Sequence, residues 1–176
     1  VDEVFANSKF DASVQERAQS FAASSTKVTS EQGVELSPLN RSFAEDGSVT
    51  YSTVEVALDR AEGRATITIN GPEEDAPASM QALTEQGAQA YMLRLARELD
   101  DAILHLRLNE RELGLVVFRT QGDAEKLIAH EALLTDNADH WLANEILKYW
   151  KRVLKRVDMT SRSLVALVEH GSCFAG

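Results

Sequence analysis

Ala65-Thr66-Ile67-Thr68-Ile69-Asn70-Gly71-Pro72 is the stretch whose reading decides the fold. Its apolar side chains alternate with threonines and the run stops at a Gly-Pro pair, the pattern of a strand with one face against a core. Upstream, Tyr51 to Leu58 alternates in the same way, with Val54, Val56 and Leu58 on one side and Thr53, Glu55 and Ala57 on the other. The residues between, Asp59-Arg60-Ala61-Glu62-Gly63, suit a short turn, so the two runs predict a hairpin. Downstream, Gly71 to Ser79 holds Pro72, Pro77 and the consecutive acids Glu73, Glu74 and Asp75, which predicts a mobile, solvated loop.

Beyond that loop, Tyr91, Leu95, Leu99, Ala102, Ile103 and Leu106 recur at three- and four-residue steps and predict a helix over Ala88 to Leu108. Arg94, Arg97, Glu98 and Asp101 are then free to face water, and Glu98, Asp100 and Asp101 read as a solvated face rather than an acid pair. Leu113 to Phe118 reads as a buried strand ending in Arg119-Thr120-Gln121-Gly122. Helices follow over Ala124 to Leu134 and over Asp139 to Val157, the latter with Leu142, Ile146, Tyr149, Trp150, Val153 and Val157 in one stripe. Leu164 to Val168 closes the series as a second buried strand, leading through Glu169 and His170 into the turn Gly171-Ser172-Cys173-Phe174-Ala175-Gly176. The order of hairpin, helix, strand, helix, helix, strand predicts a mixed α/β layer structure with parallel crossovers.

Toward the N-terminus, Ser8 to Ala23 reads as a short amphipathic helix with Ser or Asp available to cap it. The composition from Ser24 to Ser48 shifts to Ser, Thr, Asn, Glu and Gly with little periodicity, as in a linker. The resulting division is a tail helix over 1–25, a linker over 26–50 and an α/β region over 51–176. The chain starts on Val1 without an initiating Met and stops in a strand-to-turn transition, so it is expected to be a piece of a longer protein.

With 28 acidic against 18 basic residues the 176-residue chain carries a formal charge of −10, which repels a polyanion and argues against nucleic acid as a partner. No run approaches the roughly 18 apolar residues of a membrane span, and no basic-then-apolar leader pattern opens the sequence. A single cysteine permits no internal disulfide, so the cytoplasm is the expected compartment. His105, His140 and His170 have no metal-ligand spacing and no metal is expected. Cys173 has no His or Asn placed in sequence to activate it and reads as a small buried hydrophobe.

The hairpin ending in Ile67-Thr68-Ile69-Asn70-Gly71-Pro72, the long helix, Leu115-Val116-Val117-Phe118 and the strand and turn from Leu164 to Gly176 resemble the first half of the crotonase fold, an α/β spiral of ββα units. The resemblance spans about Tyr51 to Gly176. Arg97-Glu98-Leu99-Asp100-Asp101-Ala102-Ile103-Leu104-His105-Leu106-Arg107, Arg119-Thr120-Gln121-Gly122-Asp123 and Ser161-Arg162-Ser163-Leu164 look like the benzoyl-CoA-dihydrodiol lyase branch of that superfamily. Val1-Asp2-Glu3-Val4 looks like the tail that ends many crotonase domains. Such lyases carry two crotonase-like regions in one polypeptide, so the resemblance implies the end of a first region, a linker and the opening half of a second.

The chemistry implied is stabilisation of an enolate-like thioester by two converging backbone N–H donors. Gly176 matches the position of one donor, where the absence of a Cβ lets a ligand approach the backbone. The second donor is expected around Leu127 to His130, with His130 the best candidate by register, although Leu127-Ile128-Ala129-His130-Glu131 replaces the family's Ala-Gly pattern and a plain helix-surface role for His130 remains the alternative. Arg119 is a candidate contact for a CoA phosphate, and Phe174 is a second candidate substrate-binding residue. No separate cofactor is implied, coenzyme A being part of the substrate, a CoA thioester of an aromatic acid; a homo-oligomer is implied for the full-length protein. The acids at 73–75 stand where family members often place basic residues, which favours a non-catalytic scaffold as a rival reading. A generic enoyl-CoA hydratase or isomerase is the other.

Overall fold

A computed structural model describes residues 3–25 and 33–174. Two units make up the chain, Val1–Gly33 and Val34–Gly176. In the first, helix α1 (Asn7–Ser24) extends the sequence expectation by one residue at each end, and its N-cap is Ala6, which offers no side-chain oxygen to the first amides. None of its residues is buried. Arg17 pairs with Glu3 at 3.0 Å and lies 5.0 Å over the Phe21 ring, local ties that hold one helical face.

The second unit is built on a six-stranded sheet in sequential order: β1 (Ser42–Phe43), β2 (Val49–Thr50), β3 (Val54–Asp59), β4 (Arg64–Asn70), β5 (Leu115–Gln121) and β6 (Ser163–Ala166). The first four pair antiparallel, and β4, β5 and β6 pair parallel. The predicted hairpin is β3 and β4, with Val54 opposite Ile69 and Val56 opposite Ile67. Helix α2 (Met80–Gln86), a 3-10 turn (Gly87–Gln89) and helix α3 (Tyr91–Asn109) connect β4 to β5; helices α4 (Ala124–Thr135) and α5 (Trp141–Asp158) connect β5 to β6. Helix α2, capped by the Ser79 hydroxyl accepting from the Ala82 amide at 3.2 Å, lies between the expected loop and the expected long helix, in a stretch to which the sequence assigns no element. Strands β1 and β2 lie in the stretch read as linker, and that stretch joins the second unit from Val34 onward. They escape periodicity because two residues cannot alternate.

Alternation decides which face of the sheet is dry. Val54, Val56, Ala65, Ile67 and Val116 are at most 2% exposed, whereas their sequence neighbours Glu55, Ala57, Thr66, Thr68 and Val117 are exposed or half-buried. Helix α3 packs on β3 and also touches α4 and α5, so it is buried on nearly every side, from Tyr91 and Leu95 through Leu99, Ile103 and Leu106.

That position overturns the reading of its acids as a solvated face. Glu98 is 1% exposed and accepts from four donors on the turn between β2 and β3: Ser52 N and Oγ at 3.3 and 2.6 Å, and Thr53 N and Oγ1 at 2.7 and 2.6 Å. Asp100, also buried, accepts from Tyr149 Oη at 3.2 Å and from Arg156 on α5. Asp101 takes Arg41 Nη1 at 2.6 Å and Tyr51 Oη at 2.8 Å. Periodicity assigns the polar face of a helix to water, but here a turn and a second helix cover that face, so each acid carries a partner supplied by the tertiary structure.

The last strand is a second correction. Leu164 to Val168 reads as buried, yet β6 covers Ser163–Ala166 with all four residues exposed, and Leu167 and Val168 beyond it are 41% and 72% exposed. Position explains this: β6 is the sheet's edge, and even Leu164, in register with buried Val116, remains 39% exposed. Arg162 fastens its start, donating to the carbonyls of Leu106, Glu110 and Leu113 at 2.7 to 2.8 Å. Burial lowers the pKa of that guanidinium from its usual value.

At their C-terminal ends β4 and β5 are pinched together by two glycines. The Gly71 amide donates to the Gln121 carbonyl at 2.7 Å, and Gly122, at φ +138°, turns so that a Cβ there would lie 2.8 Å from the Gly71 Cα.

Two substitutions test this framework. Glu98→Ala leaves the Ser52 and Thr53 donors facing a void, and is expected to cost about 3 kcal/mol of unfolding free energy, read as a lower urea midpoint at unchanged slope. Gly122→Ala combines a disfavoured φ with backbone overlap and is expected to cost about 2 kcal/mol in the same measurement, with wild-type stability counting against the pinch.

Candidate functional site

The pinch forms the floor of a groove of about 1190 Å3 at the carboxyl ends of the parallel strands β4 and β5, the place where parallel α/β sheets leave a crevice. Asn70, Gly71 and Pro72 reach it from β4, Gln121, Gly122 and Asp123 from β5, Tyr91 and Arg94 from the first turn of α3, and Lys126 and His130 from α4. Its near wall is the turn held by Glu98, since Ser52 and Thr53 also line it. Asn70 Oδ1 accepts from Gln121 Nε2 at 2.6 Å, a side-chain bond that continues the strand pairing past the last rung.

The acidic loop forms the rim and is tied down rather than left free. Lys126 Nζ donates to the Glu73 carbonyl at 2.6 Å and lies 3.2 Å from Asp75, and His130 Nε2 is 3.3 Å from the Glu74 carbonyl. Pro72 is buried, while the three acidic side chains remain exposed. The bonds run to main-chain oxygens, which no pattern of side chains foretells.

His130 is 4% exposed, its ring 5.4 Å from that of Tyr91. Lying in the second turn of α4, its own amide is committed to the helix ladder, so the imidazole is the part of His130 that the groove meets. The amides nearest the start of α4 are covered as well: Asp123 Oδ1 accepts from Glu125 N at 2.8 Å and from Lys126 N at 3.3 Å. The Tyr91 hydroxyl donates to the Asn70 carbonyl at 2.9 Å, and burial holds its pKa above the usual phenol value, so it stays protonated.

The other sequence candidates lie elsewhere. Arg119 is outside the groove lining and donates through Nε and Nη2 to Glu169 Oε2 at 3.1 and 2.6 Å, a half-exposed pair of small energetic weight. Phe174 is 45% exposed and likewise does not line the groove. Gly176 lies outside the described residues. Near the end of the described residues, the Cys173 amide donates to Thr120 Oγ1 at 2.8 Å and ties that segment to β5. Its thiol is buried, and that burial raises its pKa, which opposes a thiolate. Among the described residues no group of three or more His, Cys, Asp or Glu side chains is placed to hold a metal ion, and no helix is long and apolar enough to cross a membrane.

Sequence reading missed Arg94 as a site residue. Its Nε is buried without a hydrogen-bond partner. The available signal is a cation in the first turn of a helix, flanked by Leu93 and Leu95, where the helix dipole opposes positive charge.

No protein-family model matches the chain. It is similar over its whole length to the benzoyl-CoA-dihydrodiol lyase of Aromatoleum evansii, with 39% identity over 177 residues. The chain spans about a third of that curated relative, 32% of its length. The likeness to a benzoyl-CoA-dihydrodiol lyase is thereby shown for the chain as a whole, and the six-stranded sheet with five helices is consistent with part of a crotonase-like fold.

Proposed function

We propose that this chain is part of a cytoplasmic lyase that opens the ring of 2,3-epoxybenzoyl-CoA with water and releases formate during aerobic benzoate breakdown. The observation that carries the reading is the 39% identity maintained across the whole chain. The groove adds support of a general kind, since it is polar and stands at the carboxyl ends of parallel strands. In this reading α1 is the tail of a preceding crotonase-like region and Val34–Gly176 opens the next. The Gly176 amide serves as one donor to the thioester oxygen, and carboxylates from chain beyond it supply acid and base.

A second reading has its own observations. The exposed acids at 73–75 sit on the groove rim, and Asp123 already occupies the amides of Glu125 and Lys126, so the loop offers no basic residue and neither of those amides is free for a CoA thioester. Those features suit a crotonase-like region that supports a catalytic partner domain.

Formate release from 2,3-epoxybenzoyl-CoA separates the two. The isolated 176-residue chain is expected to release none, and a full-length parent to turn the substrate over. In that parent Gly176→Val is expected to lower kcat/KM by about 100-fold if the amide faces the thioester. Unchanged turnover in the variant establishes the scaffold, and turnover by the isolated chain overturns the requirement for further residues.

A further inference from the structure

We infer that the groove at the ends of β4 and β5 binds an oxyanion, phosphate or carboxylate, on the guanidinium of Arg94. The inference stands apart from the lyase reading, because it rests on charge accounting within the groove.

Apart from Gln86 and the solvent-facing carboxylates of Glu73 and Glu74, the charged and polar groups around this space are largely engaged. Lys126 holds the Glu73 carbonyl and Asp75. Asp123 caps α4. Glu98, one turn beyond Arg94 on the same helix, gives both oxygens to Ser52 and Thr53. Asn70 and Gln121 hold each other, and Tyr91 holds the Asn70 carbonyl. Arg94 differs: among the described residues no acid forms an ion pair with it, and its Nε is out of water with no acceptor. A buried polar atom left unpaired is rare in a native structure and destabilising, so its persistence calls for a reason. The first turn of a helix makes the position worse for a cation, since the dipole there repels it.

An anion resting on the terminal amino groups of Arg94 offsets the repulsion of its charge by the helix dipole. The planar fork of the guanidinium offers parallel N–H donors to two oxygens of one phosphate or carboxylate, which ammonium groups cannot match in geometry. The acids of the rim do not bar entry: Asp75 is partnered by Lys126, and Glu73 and Glu74 extend into solvent where screening is strong.

The test is calorimetric titration of the 176-residue chain with inorganic pyrophosphate and, separately, with benzoate. Saturable binding of at least one probe is expected, weakened about tenfold or more by Arg94→Gln, partly retained in Arg94→Lys and little changed in Lys126→Gln. Preference for pyrophosphate assigns a phosphate-bearing ligand, and preference for benzoate a free carboxylate. Absence of binding by either probe overturns the inference, as does an equal loss in Arg94→Gln and Lys126→Gln, which reports diffuse charge. Thermal unfolding of the same variants guards against misfolding: Arg94→Gln should melt no lower than wild type, because it removes an unpaired charge. A lower melting temperature shows that Arg94 has a structural partner and likewise overturns the assignment.

Discussion

The contact on which the second unit depends is the carboxyl group of Glu98 beneath the Ser52-Thr53 turn. Four donors converge on its two oxygens, two of them main-chain amides that have no partner in the sheet. Without that acceptor the turn between β2 and β3 would bury its amides unpaired, a penalty comparable to a large share of the 5–15 kcal/mol by which whole domains are stable. The same contact sets the distance between α3 and the sheet. Tyr91 and Arg94 enter the groove from the helix that Glu98 anchors, and Ser52 and Thr53 enter it from the turn. One polar interaction therefore fixes both walls of the candidate site.

The neighbouring acids extend the pattern around α3. Asp100 reaches Tyr149 and Arg156 on α5, and Asp101 reaches Arg41 and Tyr51. Trp150 Nε1 donates to the Met92 carbonyl at 2.9 Å and joins the same two helices on their apolar side. Apolar burial gives α3 its place, whereas these directional bonds fix its rotation, since hydrophobic packing is largely non-directional.

How much of this the sequence discloses depends on whether a signal is local. The β3–β4 hairpin, α3, α4 and α5 emerge from side-chain periodicity to within a few residues, because each buries one continuous stripe. Strand β5 runs on through Arg119, Thr120 and Gln121, polar residues that read as loop because ladder bonds to β4 use only the main chain. β1 and β2 are too short to show a pattern. Of the candidate site, His130 was legible as a candidate by register, although the family's Ala-Gly pattern is replaced around it. Arg94 was not, because a lone arginine on an amphipathic helix looks like any solvated cation until its neighbours in space are known. Glu98 is misread for the same reason in reverse: nothing in its surrounding string announces Ser52 and Thr53, which lie 46 and 45 residues earlier.

Arg162 makes the chain's order of assembly matter. Its guanidinium closes the carbonyl end of α3 and the entry to β5, yet it arrives only after α4 and α5 have been laid down. Parallel pairing of β6 with β5 spans the same interval, and contacts between residues so far apart in sequence form late. During synthesis from the N-terminus, α3 and β5 must therefore wait with one end open until a single side chain, some fifty residues downstream of both, locks them.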